Sequence, residues 1–142
     1  MKLDEVDFKI IEFLKKDART PFTEIGEALG LADSTVHLRA KKLIDEGIIT
    51  KFTISVNEQS LGKVSSLLMM DVVPGTFEDV ARNLMKIDYV EEILELQGPY
   101  VAQVKISANN LAEMREEILK IRKISNVTRT EMITILKDWK TT

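Results

Sequence analysis

The sequence predicts an α+β chain in two parts, an N-terminal helix-turn-helix domain and a C-terminal ferredoxin-like βαββαβ domain. Three observations lead there. Up to Gly47, apolar residues recur at helical spacing and are interrupted twice by turn residues. Beyond Gly47 the pattern becomes β-branched and alternating. From Val64 onward, strand and helix signals follow in the order β-α-β-β-α-β, a split unit that closes one antiparallel sheet. The expected ranges are 1–50 for the helical domain, 51–63 for a strand and linker, and 64–142 for the βαββαβ domain.

Each element has a local reason. Leu3, Val6, Ile10, Phe13 and Leu14 form the apolar stripe of a first helix. That helix stops near "DARTP", because Pro21 disfavours helical geometry at Thr20. Phe22, Ile25 and Leu29 share one face of a short second helix, closed by Gly30. Asp33 or Ser34 can cap a third helix reaching Glu46–Gly47, about 13 residues or roughly 20 Å. "IITKFTISV" then reads as a strand or wing and "NEQSLGK" as a linker. In the second half, "VSSLLMMDVV", "VEEILELQ", "YVAQVKISA" and "VTRTEMITIL" read as strands. Phe77, Val80, Ala81, Leu84 and Met85 mark one helix, and Leu111, Met114, Ile118, Ile121 and Ile124 a longer one.

The strands carry an unusual pattern. Both helices of such a fold cover the same sheet face, so the other face should turn polar. Instead Leu67, Met69 and Val73 alternate with Leu68, Met70 and Val72, and Met132 and Leu136 with Ile133 and Ile135. Two apolar faces with one helical cover leave a patch that a second copy can bury, which predicts dimerisation through the sheet.

Composition narrows the function. The 142 residues include no cysteine, which removes disulfides, thiolate nucleophiles and thiolate zinc sites and suits a reducing compartment. "MKLDEVDF" is acidic and has no apolar run, so no signal peptide is expected, and "LLMMDVV" is far too short to span a bilayer. A cytoplasmic protein without membrane contact is the expectation. Net charge is −3, and it is spread evenly: residues 1–63 hold 10 Lys/Arg against 11 Asp/Glu, and residues 64–142 hold 10 against 12. Any affinity for phosphates must therefore come from a local patch.

The stretch "DSTVHLRAKKL", residues 33–43, is that patch and contains the chain's one histidine. At about 100° per residue, Val36, Ala40, Leu43 and Ile44 fall on one apolar stripe. Ser34, Thr35, Leu38, Lys41, Lys42 and Asp45 lie opposite, with His37 and Arg39 on the flanks. A helix entering the major groove reads bases with its first turns, where Ser34, Thr35, His37 and Leu38 stand. Leu38 can touch a thymine methyl. Arg39, Lys41 and Lys42 can neutralise flanking phosphates, and Lys51 and Thr53 can add backbone contacts from beyond the turn. A solvated helix face with ordinary lysines is the competing reading. His37 has no second histidine, cysteine or acid set around it that would make it catalytic or a metal ligand. No glycine-rich phosphate loop or Ser-His-Asp set occurs, so neither an enzyme nor a resident cofactor is expected.

The chain resembles the Lrp/AsnC regulators, the leucine-responsive or feast/famine transcription factors. The likeness lies in "LDEVD", "DART", "LADSTVHLRAKKL", "EGIITKFT", "LQGPYVAQVKISANN" and "ITILK", in that order and spacing. The resemblance implies a helix-turn-helix joined to a βαββαβ ligand-sensing domain, and binding to promoter DNA. It also implies dimers that assemble into tetramers, octamers or higher forms, with an amino acid as effector in a cleft between dimers. It places Ser34, Thr35, His37, Leu38 and Arg39 on the recognition helix, and Arg39 on a phosphate. For the effector it points to Gly98, Tyr100, Val101 and Thr130. The family commonly has an acidic residue after its G-x-Y. "GPYV" has Val101 there, which cannot pair with an amino group and implies an altered effector, a changed affinity or none.

The function expected is thus a sequence-specific transcription regulator, with paired recognition helices about one DNA turn, or a multiple of it, apart. The alternative is a small-molecule-binding oligomeric module whose helical domain mediates protein contacts.

Overall fold

The computed structural model describes residues 2–139 and divides into two units, Met1–Ser55 and Val56–Thr142. In the first, the helical spacing becomes α1 Glu5–Lys16, α2 Phe22–Leu29 and α3 Asp33–Asp45. Asp4 caps α1: its carboxylate accepts from Asp7 N at 2.9 Å, and the Asp7 carboxylate accepts from Asp4 N at 3.0 Å. This reciprocal pair satisfies two donors that a helix start otherwise leaves open. Ile10, Ile25, Val36 and Leu43 are fully excluded from solvent, with Leu14 beside them. Each such side chain contributes about 1.5–3 kcal/mol by leaving water.

The turn between α2 and α3 depends on two glycines. Gly30 ends α2 in the left-handed region at φ 67°, which a side chain would disfavour. Gly26 lies inside α2, where a Cβ would come within 2.7 Å of the Leu31 carbonyl oxygen. The Leu31 N–H donates back to Gly26 O at 2.8 Å, so the turn lies directly on the helix surface.

Three expectations for this unit need correction. The cap of α3 is Ala32, without a side-chain hydrogen bond, and not Asp33 or Ser34. The helix starts earlier because Ala32 O already accepts from Thr35 N and Val36 N. Ile44, expected in the buried stripe, is 44% exposed, because it lies at the last turn of α3 beyond the neighbouring helices' cover. The expected strand in "IITKFTISV" is absent: residues 50–57 form no ladder, and Ile54 is 81% exposed. A strand needs a partner for its N–H and C=O groups, and the described residues offer this segment none.

The second unit has β1 Val64–Val72, α4 Phe77–Leu84, β2 Val90–Glu95, β3 Ala102–Ala108, α5 Leu111–Arg122 and β4 Val127–Thr134. The antiparallel sheet has the order β2-β3-β1-β4, as the ferredoxin-like reading requires. Both helices cover one face. Leu68, Met70 and Val72 of β1 and Val104 and Ile106 of β3 meet Val80 and Leu84 of α4 and Met114, Ile118 and Ile121 of α5. The expected helix ends shrink slightly: Met85 is the exposed C-cap of α4, and α5 stops before Ile124.

No helix of the βαββαβ unit covers the other face, and among the described residues, 56–59 and 137–139 stand beside its Ser65, Leu67 and Lys105 end. That face carries Leu67 and Met69 of β1, half-buried, and Ile133 of β4, 46% exposed and paired with Leu67. Gln103 and Lys105 of β3 lie across from Met69 and Leu67. At the β1 end of this face the Ser65 and Ser107 hydroxyls share a buried hydrogen bond of 2.7 Å.

Gly26→Ala is expected to lower the stability of the N-terminal unit by about 1–3 kcal/mol, because the colliding atom is backbone and cannot swing aside. Urea denaturation followed by circular dichroism measures it.

Candidate nucleic-acid interface

The underside of α3 is Val36, Ala40 and Leu43, none more than 1% exposed. Burying that stripe turns the opposite side outward. Ser34, His37, Leu38, Lys41 and Lys42 are exposed and Thr35 is half-buried. Leu38 is 69% exposed in the middle of these polar groups. The His37 ring meets Phe22 of α2 edge-on, with centroids 4.5 Å apart, and its Nε2 lies 3.8 Å from Asp33. That contact holds the ring against the start of α3 and leaves much of it in solvent.

The cations differ in how free they are. Lys41 Nζ reaches Asp45 at 2.8 Å, one turn away and well exposed, and this pairing raises its pKa above the ordinary value. Such a surface pair is weak and can yield to a phosphate. Lys42 and Lys51 are exposed. Arg39, expected on a phosphate, is engaged elsewhere. Its Nη1 donates to both Asp4 oxygens and to Asp7 Oδ1, each at 2.8 Å, and these acids hold its pKa above the usual range.

The expected effector residues do not form one cluster. Gly98 and Tyr100 lie in the loop before β3, where the Tyr100 hydroxyl bonds Glu131, which raises the phenol's pKa. The Arg129 guanidinium stacks over the Tyr100 ring at 4.5 Å, pairs with Asp71 at 3.1 Å and donates to Pro99 O. Val101 points its side chain into the helical core, while its N–H donates to Met70 O and Asp71 Oδ1. The Thr130 hydroxyl accepts from Arg122 Nε of α5 at 2.7 Å. Thr130 pairs with Met70, whose side chain is on the helical face, whereas Arg129 pairs with Asp71 on the open one.

Residues 3–44 match the AsnC-type helix-turn-helix domain, and residues 65–142 match the Lrp/AsnC ligand binding domain. The chain belongs to the Lrp/AsnC family. Among Lrp/AsnC relatives, it is 38% identical to the HTH-type transcriptional regulator FL11 of Pyrococcus abyssi, over 100% of this chain and 95% of that protein. It is 33% identical to the regulator LysM of Saccharolobus solfataricus, over 96% of each. The solved LrpC of B. subtilis superposes with a TM-score of 0.80 at 29% identity, covering 100% of both chains. Like other Lrp/AsnC members, this chain is a DNA-binding transcription regulator with a small-molecule-binding domain, and not an enzyme. No helix among the described residues is long and apolar enough to cross a membrane, and no group of three or more His, Asp or Glu among them could hold a metal.

Sequence reasoning missed Asp4 and Asp7 as partners of Arg39, and Asp71, Arg129 and Glu131 around Tyr100. One signal was visible: Asp71 is the lone charge in "LLMMDVV", and a charge inside a strand needs a partner across the sheet.

The Asp4 carboxyl lies below its ordinary value of 3.8, first through the Asp7 N–H and then through Arg39. A depressed folded-state value means the ionised group stabilises above the unfolded pKa and stops doing so as pH falls through the folded one. The stability difference between wild type and Asp4→Asn should be constant from about pH 7 to about pH 5 and shrink below about pH 4. Urea titrations of both proteins across that range test it.

Proposed function

We propose that α3 enters the major groove of double-stranded DNA with Ser34, Thr35, His37 and Leu38 against base edges. Lys41 and Lys42, with Lys51 beyond the turn, neutralise the flanking phosphates. The observation that carries this is Leu38: a leucine more than two-thirds exposed, ringed by hydroxyls and cations, on a helix whose other side is sealed. Such a side chain has its use in contact with an apolar group such as a thymine methyl.

The protein acts as a dimer formed through the open sheet face, around Leu67, Met69, Ile133 and Ile135, and dimers assemble into octamers or other higher forms. Two α3 helices then meet half-sites about one DNA turn, or a multiple of it, apart. The effector is an amino acid or a related small metabolite held between dimers near Gly98, Tyr100, Val101 and Thr130. With valine at 101, the acids nearest for an amino group are Asp71 and Glu131, and the cation nearest for a carboxylate is Arg129. An effector would take them from their present partners, Asp71 and Arg129 from each other and Glu131 from Tyr100. An effector of this kind regulates by binding one assembly more tightly than another. The site of action is the cytoplasm, and the cysteine-free composition suits its reducing conditions.

Selection of bound duplexes from a random pool supplies the operator. On it, Lys42→Ala should weaken binding to all sequences and flatten the plot of log affinity against log salt by about 0.9. Substitutions at Thr35 or His37 should change which sequence is selected. An unchanged salt slope in Lys42→Ala removes Lys42 from the phosphate contacts. Leu67→Glu and Ile133→Glu should shift the protein toward monomer in sedimentation equilibrium, and intact dimers in both variants count against the sheet interface.

A further inference from the structure

We propose that Arg39 is a positioning residue: held between Asp4 and Asp7 at the head of α1, it sets the rotation of α3 about its own axis and touches no phosphate. This rests on the reading of α3 as the DNA-facing helix. Three features of the helix leave its rotation poorly determined without such a contact. Its buried stripe is narrow, only Val36, Ala40 and Leu43, and the middle residue has a single methyl group. Burial of apolar surface is non-directional, so so small a stripe tolerates some roll. The N-cap, Ala32, adds no side-chain hydrogen bond to fix the start.

Arg39 supplies the missing direction. It leaves α3 on the flank between its buried and exposed sides, and its Nη1 ends 2.8 Å from two carboxylate oxygens of the cap residue Asp4 and one of Asp7 in the first turn of α1. Those oxygens are not free to drift, because Asp4 and Asp7 are tied to each other's backbone N–H groups in the capping box. All three bonds converge on the one nitrogen Nη1, so the joint is fixed by the two tied carboxylates and by the length of the arginine side chain, which the shorter lysine does not match. The joint is partly sheltered, with the side chains of Arg39 and Asp7 31% and 9% exposed.

For Arg39 to swing to a phosphate, Asp7 would remain nearly buried without its cation, which is strongly unfavourable. The backbone of the DNA would also approach two carboxylates of its own charge. A change of roll, in contrast, displaces Thr35, His37 and Leu38 together from the bases they read, so the clamp governs discrimination more than attraction.

The two roles give opposite signs for one variant. Asp4→Asn keeps a good helix cap and removes a negative charge. If Arg39 is a phosphate ligand, this frees it, and DNA binding tightens. If it is a clamp, binding weakens although the protein has become less acidic. The experiment measures fluorescence anisotropy on the duplex selected by the wild-type protein and on a scrambled duplex, across a salt series. It uses Asp4→Asn, Arg39→Gln and Arg39→Lys below their melting temperatures, with Lys42→Ala as reference.

The expected result is that Asp4→Asn and Arg39→Lys each lower the ratio of selected to scrambled affinity by about tenfold with the salt slope unchanged, and that Arg39→Gln does the same. Arg39→Lys keeps the charge, so it serves if Arg39→Gln does not fold. Tighter binding by Asp4→Asn, a slope shallower by about 0.9 in Arg39→Gln, or an unchanged ratio in folded variants each overturns the proposal. If variants at Thr35, His37 and Leu38 all keep the preference for the selected duplex, that counts instead against the DNA-facing reading of α3.

Discussion

The seating of Val36 and Leu43 among Ile10, Leu14 and Ile25 is the constraint on which the rest of the N-terminal unit depends. Helix α3 is short and rich in charge, and an isolated helix of that length is marginal in water. It exists because its apolar stripe completes a core that α1 and α2 cannot close alone. Once the stripe is buried, the side chains opposite have only solvent or a ligand to meet. The face proposed to meet DNA is thus a by-product of packing, and its composition was free to be chosen for recognition.

Electrostatics then act at two ranges. The chain as a whole is anionic, so it has no long-range attraction to nucleic acid to rely on. At short range the acids of the first unit are partly occupied: Asp4 and Asp7 with Arg39, Asp45 with Lys41. A regulator built this way depends more on fit than on charge, which suits selectivity among abundant competing sequences.

The order of elements was legible in the sequence because helices and strands write their periods directly into the apolar pattern, and the βαββαβ order leaves few ways to close one sheet. Residues 50–57 misled because their alternation is that of a strand, while strand formation depends on a partner that local sequence does not specify. The start of α3 misled because Ala32, Asp33 and Ser34 are adjacent and only the backbone decides which of them caps. At the site, the exposed members of "DSTVHLRAKKL" could be read from helical geometry alone. Arg39 could not: its partner Asp4 is 35 positions away, and in sequence the arginine looks like one more member of a basic run. The departure at Val101 was visible in one letter, but the direction of its side chain follows from how the strand lies on the helices.

The bond between the hydroxyls of Ser65 and Ser107 has a consequence for assembly of the sheet. These residues are directly opposite in the β1–β3 ladder. A slip by one position that set Val64 against Ser107 would send the Ser65 hydroxyl to the opposite surface and leave both without a mate, while every leucine of β1 exchanged sides; a slip the other way would bring Ser66 opposite Ser107 instead. A pair of small polar groups thereby acts as a key for alignment in one direction: it adds little cohesion of its own, yet it makes the pairing that sets Val64 against Ser107 dearer than the correct one.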